Sequence, residues 1–414
     1  MEKLLKCRIC KGYDFHSVLD LGLQPLSGVF PDAPNIDVPE YPLSLVRCQN
    51  CTLVQLSVTC PLTEMYGQGY GYRSSATSAM KAHLKAIANE ARAYFTGDPD
   101  LAVLDIGCND GFLLEQFSPD RCFGFDPVGL ELKKVKEFNF KYFSSFFGAQ
   151  TLREATDQKM DVVTSISMFY DIENPIDFAK EVTEVMSNDG VWILEVSYLG
   201  SVIQNLVYDS ICHEHLAYYS LQALEYVAQQ AELDIYAVSQ NNLNGGSLRL
   251  HLVKKTRSNR NAVPKITLER LQELRKMETV LGISNGDCFI KFEKRLKEHR
   301  VEVQNFFDKH RGKQTIVGYG ASTKGNTLLQ FCGITRNDLP VIGDVSEHKY
   351  GCFTPGTKIP IISMEQALAM RANFYFVLPW GFKKHILDKE RLNRSILRDS
   401  KFVFPLPSLS VNSL

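Results

Sequence analysis

The chain has 414 residues, 44% of them apolar, enough for ordinary cores and, at roughly 100–200 residues per domain, for two to three domains. Lys plus Arg number 46 against 47 Asp plus Glu, so no basic field favours a nucleic-acid partner, and no apolar run approaches the ~18 residues a membrane-crossing helix needs. The opening MEKLLKCRIC has neither the apolar stretch nor the cleavage pattern of a leader, so a cytoplasmic location is expected, with the 11 cysteines as free thiols and metal ligands, not disulfides.

Four cysteines are organised. Cys7 and Cys10, then Cys48 and Cys51, form two CxxC knuckles among short turn-rich segments. Each knuckle offers two thiolates to one side of an ion, and two of them complete the four-sulfur shell of a structural Zn²⁺. A full shell leaves no coordination position for a substrate, so the metal is expected to fold a small module up to about residue 68.

Next, GYGYRSSATSAMKAHL sets Tyr70, Tyr72 and Arg73 before a helix that Ser74 or Ser75 can cap. Both tyrosines have a plain alternative as core or hinge. LAVLDIGCNDGFLLEQF then predicts a buried strand over Leu101–Ile106, a glycine turn, and an amphipathic helix from near Phe112. CFGFDP is a second strand ending at Asp126, twenty-one residues after Asp105, and MDVVTSISMF and GVWILEVS are two more, with the helical PIDFAKEVTEVM between them. Alternating strands and helices describe a parallel, doubly wound sheet whose ligand lies outside the carboxyl ends of its strands. The turn reads Gly107-Cys-Asn-Asp-Gly111, without the middle glycine of a dinucleotide fingerprint.

ICHEHLAYYS, Ile211 to Ser220, surrounds a glutamate with two histidines. A zincin needs His-Glu-x-x-His, and the second histidine position holds Ala217, so the helix-borne metal pair is absent. An acid–base role remains, since an imidazole with an ordinary pKa of about 6.5 keeps a neutral fraction near pH 7. The alternative is that His215 satisfies a buried hydrogen bond.

The last third opens with LNGGSLRLHLVKK, a glycine turn feeding a strand, followed by charged helical sequence from about Lys265 to Arg311. It ends in another α/β unit: strand QTIVGYG, turn ASTKG, helix NTLLQFCGI and strand LPVIGDVSE. Gly318-Tyr-Gly320-Ala-Ser-Thr-Lys324-Gly misses the Walker A spacing but combines hydroxyls and a lysine at a helix N-terminus, as phosphate binding requires. The alternative is that these glycines serve only packing. The expected divisions are 1–68, 69–237 and 238–414.

DIGCNDG resembles the first motif of class I S-adenosylmethionine-dependent methyltransferases. With the paired knuckles, YGYRSS, EHLAYYS, GGSLR, GYGASTKGNTLL and KYGCFTPGTKIPI, nearly the whole chain is similar to the zinc-containing, three-part C-methyltransferases of nucleotide-linked deoxysugars. The resemblance implies a Rossmann-like class I methyltransferase domain between a zinc-binding module and a C-terminal α/β domain. It implies S-adenosylmethionine at Asp105, Gly107, Asn109, Asp110, Gly111, Asp126, Met168 and Tyr72, with Gly107 against the methionine part and Asp126 accepting the ribose hydroxyls. His215 would take the proton beside a 4-keto group, Glu214 would orient it or hold a sugar hydroxyl, and Tyr72, Ser322, Lys324, His348 and Lys349 would hold the nucleotide-linked sugar. A monomer is expected, with no nucleic acid or membrane partner.

Two departures stand out. The similar enzymes carry a tyrosine three residues before the histidine, where this chain has Cys212, and a histidine near the end of the fourth strand, where it has Tyr170 and Asp171. A thiol is a shorter and weaker donor than a phenol. The sugar, the carbon, and the choice between C- and O-methylation stay open, with a non-catalytic binding protein on the same cofactor fold as the other alternative; His213, Tyr218 and Tyr219 are candidates to replace the missing groups, against packing as the plain reading of the aromatic pair.

Overall fold

The computed structural model describes residues 1–65, 73–95, 100–132, 136–257, 263–393 and 397–414. Tyr70 and Tyr72 lie outside the described residues.

The centre is a seven-stranded sheet, ordered across its width as Leu233–Asn241, Ser247–Lys254, Met186–Ser197, Met160–Ile166, Val103–Ile106, Cys122–Phe125 and Lys141–Phe143. Ser247–Lys254 runs antiparallel to both its neighbours, and the other six share one direction. Period-two alternation explains how strands this apolar bury both faces. Val103, Val162, Val191 and Ile193 meet the helix Ser78–Arg92 through Met80, Leu84, Ile87 and Ala91. Leu104, Val163, Trp192 and Leu194 point the other way, to the helices Pro175–Val185 and Leu221–Gln230 through Val182, Val185, Leu224 and Val227. Each such side chain contributes about 1.5–3 kcal/mol of burial.

The N-terminal module is a four-stranded antiparallel sheet of Phe15–Pro25, Glu40–Cys48 and Val54–Leu56, and its fourth strand, Ala217–Tyr218, comes from far along the chain. The C-terminal module is a six-stranded sheet, ordered Ile361–Ser363, Ile342–Asp344, Ile316–Tyr319, Phe374–Val377, Lys401–Phe404 and Ser410–Ser413, parallel except for the last strand. The helices Lys265–Leu281 and Asp287–His310 link the modules, the first closed by Gly282 in the left-handed conformation. Among the described residues no helix is long and apolar enough to cross a membrane.

Three elements differ from expectation. The helix predicted from near Phe112 is only a 3₁₀ turn, Leu114–Gln116, because Pro119 holds the chain at Ser118 extended before a second helical turn can form. The cap of Ser78–Arg92 is Thr77, whose hydroxyl accepts from Met80 N, whereas Ser74 and Ser75 lie in a preceding 3₁₀ turn. The strand Ser247–Lys254, expected in the C-terminal unit that opens at 238, completes the central sheet instead.

Candidate active site

The two knuckles are built alike. Lys11 and Thr52 sit at positive φ and return their amides to the carbonyls of Cys7 and Cys48, both at 3.0 Å, which folds each pair of thiols to one side. All four sulfurs lie within 4.8 Å of one another, with Cys7 Sγ 3.4 Å from Cys51 Sγ and Cys10 Sγ 3.5 Å from Cys48 Sγ. Zn–S bonds of ~2.3 Å give tetrahedral edges of about 3.8 Å, so the four thiols fit one zinc ion and close its shell. Gln55 Nε2 donates to Cys7 Sγ at 3.3 Å, and the same amide accepts from Arg8 N at 3.0 Å through Oε1. Gln55 is paired with Ala217 in the sheet, and Arg8 Nε donates to Leu216 O at 3.4 Å, so the metal's second shell holds the segment that carries Glu214 and His215.

At the head of the central sheet, Gly107, Asn109 and Gly111 all have positive φ, which turns the chain back over the strand ends. Asp126, one residue beyond Cys122–Phe125, accepts from Asn109 N at 2.8 Å and from Val128 N at 3.0 Å, one bond to each oxygen. Each oxygen keeps a second lone pair, the capacity a ribose diol requires. Burial raises the Asp126 pKa, against the amide bonds and the charge of Arg73. Asn109 Oδ1 accepts from Ser74 N at 3.0 Å and Asp110 Oδ2 from Ser75 N at 2.8 Å, so both side chains tie the turn to the approach of the helix Ser78–Arg92. A Cβ on Gly107 would lie 2.8 Å from Met168 Cγ, which puts Met168 directly across the turn. Asp105 lies deeper, accepting from Thr164 Oγ1 at 2.6 Å inside the sheet, where burial pushes its pKa up to about 7. Backbone turned by glycine, a carboxylate at the tip of the next strand and a thioether across the turn together fit the methionine and ribose parts of S-adenosylmethionine.

The segment from Tyr208 to Ser220 separates its two histidines. His213 faces the N-terminal module, donating from Nε2 to Tyr41 O at 3.2 Å, with its ring edge-on to Tyr41. His215 faces the interior between modules. Its Nδ1 lies 2.7 Å from Ser210 O, and since a carbonyl only accepts, that nitrogen carries the hydrogen and Nε2 holds the lone pair. The ring packs on Tyr170 with centroids 4.3 Å apart. Burial first, then the charge of Lys324, pushes the His215 pKa down to about 3, so the imidazole is neutral. Glu214 is buried against Gly28, and its Oε2 lies 3.5 Å from Ser27 Oγ, so this carboxylate faces the Leu26–Gly28 loop of the zinc module, with its pKa raised by burial. Cys212 is buried beside Glu214 and Tyr218. Tyr219 packs on Phe169 at 5.2 Å, near Arg8.

In the C-terminal turn, Ser322 caps the helix Thr323–Cys332 by accepting from Gly325 N at 3.1 Å. A Cβ on Gly318 would meet Ile342, on Gly320 Pro379 and on Gly325 Leu378, all closer than 3 Å, so these glycines are required for close packing. Lys349 donates to Ala321 O at 2.7 Å and lies 4.6 Å above the Phe30 ring, whereas His348 in the same 3₁₀ turn is exposed. Lys324 points away from that pair, toward Asn244 O at 3.4 Å, and its charge is felt at the buried His215. The two lysines of the expected anchor group therefore serve different places.

Two contributors escaped sequence reasoning. Asp209 is buried, accepts from Trp380 Nε1 at 2.6 Å, and has its pKa raised to about 6 by burial against the opposing charge of Lys324. Arg249 joins Glu195 at 2.8 Å to both oxygens of Glu90, at 2.7 and 2.8 Å, fastening Ser78–Arg92 to the sheet, with His83 Nε2 also 2.7 Å from Glu195. The signal for the second was an arginine alternating with apolar residues in SLRLHLV; nothing in sequence marked the first.

Comparison with known proteins agrees in extent. Family models described as "Putative zinc binding domain", "Methyltransferase domain" and "C-methyltransferase C-terminal domain" match residues 7–66, 77–238 and 242–407. C-methyltransferase NovU of Streptomyces niveus is 27% identical over 422 residues, covering 99% of this chain and 97% of NovU. A tRNA U34 carboxymethyltransferase of Campylobacter lari is 29% identical over 114 residues, covering 23% of this chain and 35% of that protein. Among solved structures, magnesium protoporphyrin IX methyltransferase ChlM of Synechocystis with bound SAM aligns over 42% of this chain and 79% of its own, at 13% identity and a TM-score of 0.31.

Proposed function

We propose that this chain, an S-adenosylmethionine-dependent C-methyltransferase carrying a zinc-binding domain, methylates the carbon beside the keto group of a nucleotide-linked 4-keto deoxysugar, through an enolate formed by His215. When bound, S-adenosylmethionine supplies an electrophilic methyl group on sulfur. The observation that carries the reading is the hydrogen bond from His215 Nδ1 to Ser210 O, which leaves Nε2 as a lone-pair acceptor facing the interior between modules. A proton next to a carbonyl is acidified because the electron pair it leaves is delocalised onto the carbonyl oxygen, and the low pKa of His215 makes stabilisation of that oxygen necessary.

The remaining residues sort by position. Gly107, Asn109, Asp110, Gly111, Asp126 and Met168 surround the cofactor, with Asp126 toward its ribose and Asp105 supporting the turn from within the sheet; the resemblance assigns Tyr72 to the same cofactor. Glu214 holds a sugar hydroxyl. Ser322, Lys324, His348 and Lys349 belong to the substrate side, with His348 and Lys349 set toward the diphosphate of the nucleotide. Cys7, Cys10, Cys48 and Cys51 hold structural zinc. The end-to-end match to NovU, a C-methyltransferase, supports transfer to carbon.

Incubation with S-adenosylmethionine and a panel of nucleotide-linked 4-keto sugars is expected to add one methyl mass to one of them, and in deuterated solvent the C3 proton should wash out. His215→Gln should lower exchange and methylation ~10²–10⁴-fold, the usual range for a general base, with cofactor affinity kept. Methylation without exchange at C3 would point to an oxygen acceptor and overturn the enolate reading. Because the His215 pKa is pushed down to about 3, kcat/KM should show no acid limb near pH 6.5.

A further inference from the structure

We propose that Lys324 is the electrophilic residue of the reaction, its ammonium donating to the substrate's keto oxygen as that oxygen becomes an oxyanion; the inference rests on the enolate reading above.

The helix Thr323–Cys332 lies against the segment that leads to His215. Thr327 Oγ1 donates to Ile211 O at 3.1 Å, and Asn326 Nδ2 donates to Ser27 O at 2.7 Å in the loop beside Glu214. Both residues are fully buried, and Lys324 stands in the preceding turn of the same helix with its side chain only partly covered. Among the described residues its ammonium makes one hydrogen bond, to Asn244 O at 3.4 Å, which is long for a charged donor. With three N–H groups, at least two remain for a ligand. Burial lowers the Lys324 pKa, and the charge of Asp209, itself fixed by Trp380, works against that shift and favours the ammonium, whose positive charge is felt at His215. Base and cation therefore stand on two segments packed directly against each other.

The chemistry needs such a group. His215 Nε2 takes the C3 proton, the C3–H electron pair becomes the C3–C4 π bond, and the former C4–O π pair moves onto oxygen. A fixed donor aimed at that oxygen in a site of low dielectric stabilises the oxyanion more than the ketone. Cys212, buried in the same segment, offers only a weak thiol donor. The lysine that depresses the imidazole before proton transfer opposes the oxyanion after it, so its unfavourable effect on the base is offset in the same step.

The test compares Lys324→Met, Lys324→Arg and Tyr218→Phe with wild type, reading C3 deuterium exchange with S-adenosylhomocysteine bound, kcat and KM for the sugar, cofactor affinity and the melting temperature. Lys324→Met should lower exchange and kcat together by ~10²–10³-fold, with KM changed by less than ~3-fold and cofactor affinity unchanged; Lys324→Arg should recover part of the loss. A KM raised ~10-fold with kcat and exchange intact would make Lys324 a phosphate anchor and overturn the proposal. Exchange lost in Tyr218→Phe but kept in Lys324→Met would transfer the role to the phenol. Wild-type exchange that survives Lys324→Met overturns this inference alone; wild-type methylation with no exchange overturns the enolate reading as well.

Discussion

The turns at the heads of the two parallel sheets share a wiring. In the central sheet Asp126 accepts from Asn109 N at 2.8 Å and Val128 N at 3.0 Å, and Tyr142 OH donates to Asn109 O at 3.0 Å. In the C-terminal sheet Asp344 accepts from Ala321 N at 2.6 Å and Ser346 N at 2.8 Å, and Lys349 Nζ donates to Ala321 O at 2.7 Å. In both, an aspartate ending the second strand ties down the turn that follows the first. The contrast lies in what fills the glycines' empty sides. Gly107 faces the flexible Met168, while Gly318, Gly320 and Gly325 face Ile342, Pro379 and Leu378 of their own module. Gly107 meets a side chain that can yield, whereas the C-terminal turn consumes its glycines in packing, so a glycine-rich strand-to-helix turn specifies a backbone shape, and the neighbours decide whether that shape binds anything.

Substituting the two aspartates gives the largest separation. Asp126→Ala should weaken S-adenosylmethionine binding by about 100-fold or more by calorimetry, as expected for losing two charge-assisted hydrogen bonds at ~1.5–3 kcal/mol each. Asp344→Ala should leave cofactor affinity unchanged and lower the melting temperature; equal cofactor losses in both variants would erase the distinction. A smaller contrast is expected at the glycines. Gly320→Ala places a methyl 2.7 Å from the Pro379 ring at φ +80°, and about 2 kcal/mol of stability should be lost in denaturant titration. Gly107→Ala, at φ +76° beside a methionine that can yield, should cost less stability and more cofactor affinity.

The last contrast concerns pH. Asp105, with its pKa raised to about 7 by burial, binds a proton more tightly folded than unfolded. Its contribution to stability is therefore full below the ordinary aspartate value of 3.8, where both states are protonated, and declines as pH rises toward 7. Asp105→Asn should flatten that decline in denaturation curves at pH 5 and 7.5. An unchanged slope would show that Asp105 is ionised in the fold.

Four strands of the central sheet and two of the C-terminal sheet were legible because runs such as VLDI and IVGY are mostly apolar, and the zinc site because four cysteines in two knuckles have few other uses; the remaining strands are too short or too polar to stand out. Three other things were not legible. The reach of Ser247–Lys254 back to the central sheet depends on pairing between strands, which local periodicity does not encode. The different fates of Lys324 and Lys349 turn on side-chain direction within a single module. The pairing of Asp209 with Trp380 joins residues remote in sequence, and neither stands in a recognisable motif.

The strand Ala217–Tyr218 completes a sheet begun by residues 15–56. The zinc module is thus no detachable cassette: a chimera that trades residues 1–65 between relatives must trade the stretch around 210–220 as well, or leave two mismatched edges. During synthesis Val54–Leu56 emerges with one side bare and stays so until Ala217 leaves the ribosome, an interval in which that edge is open to a stranger's strand.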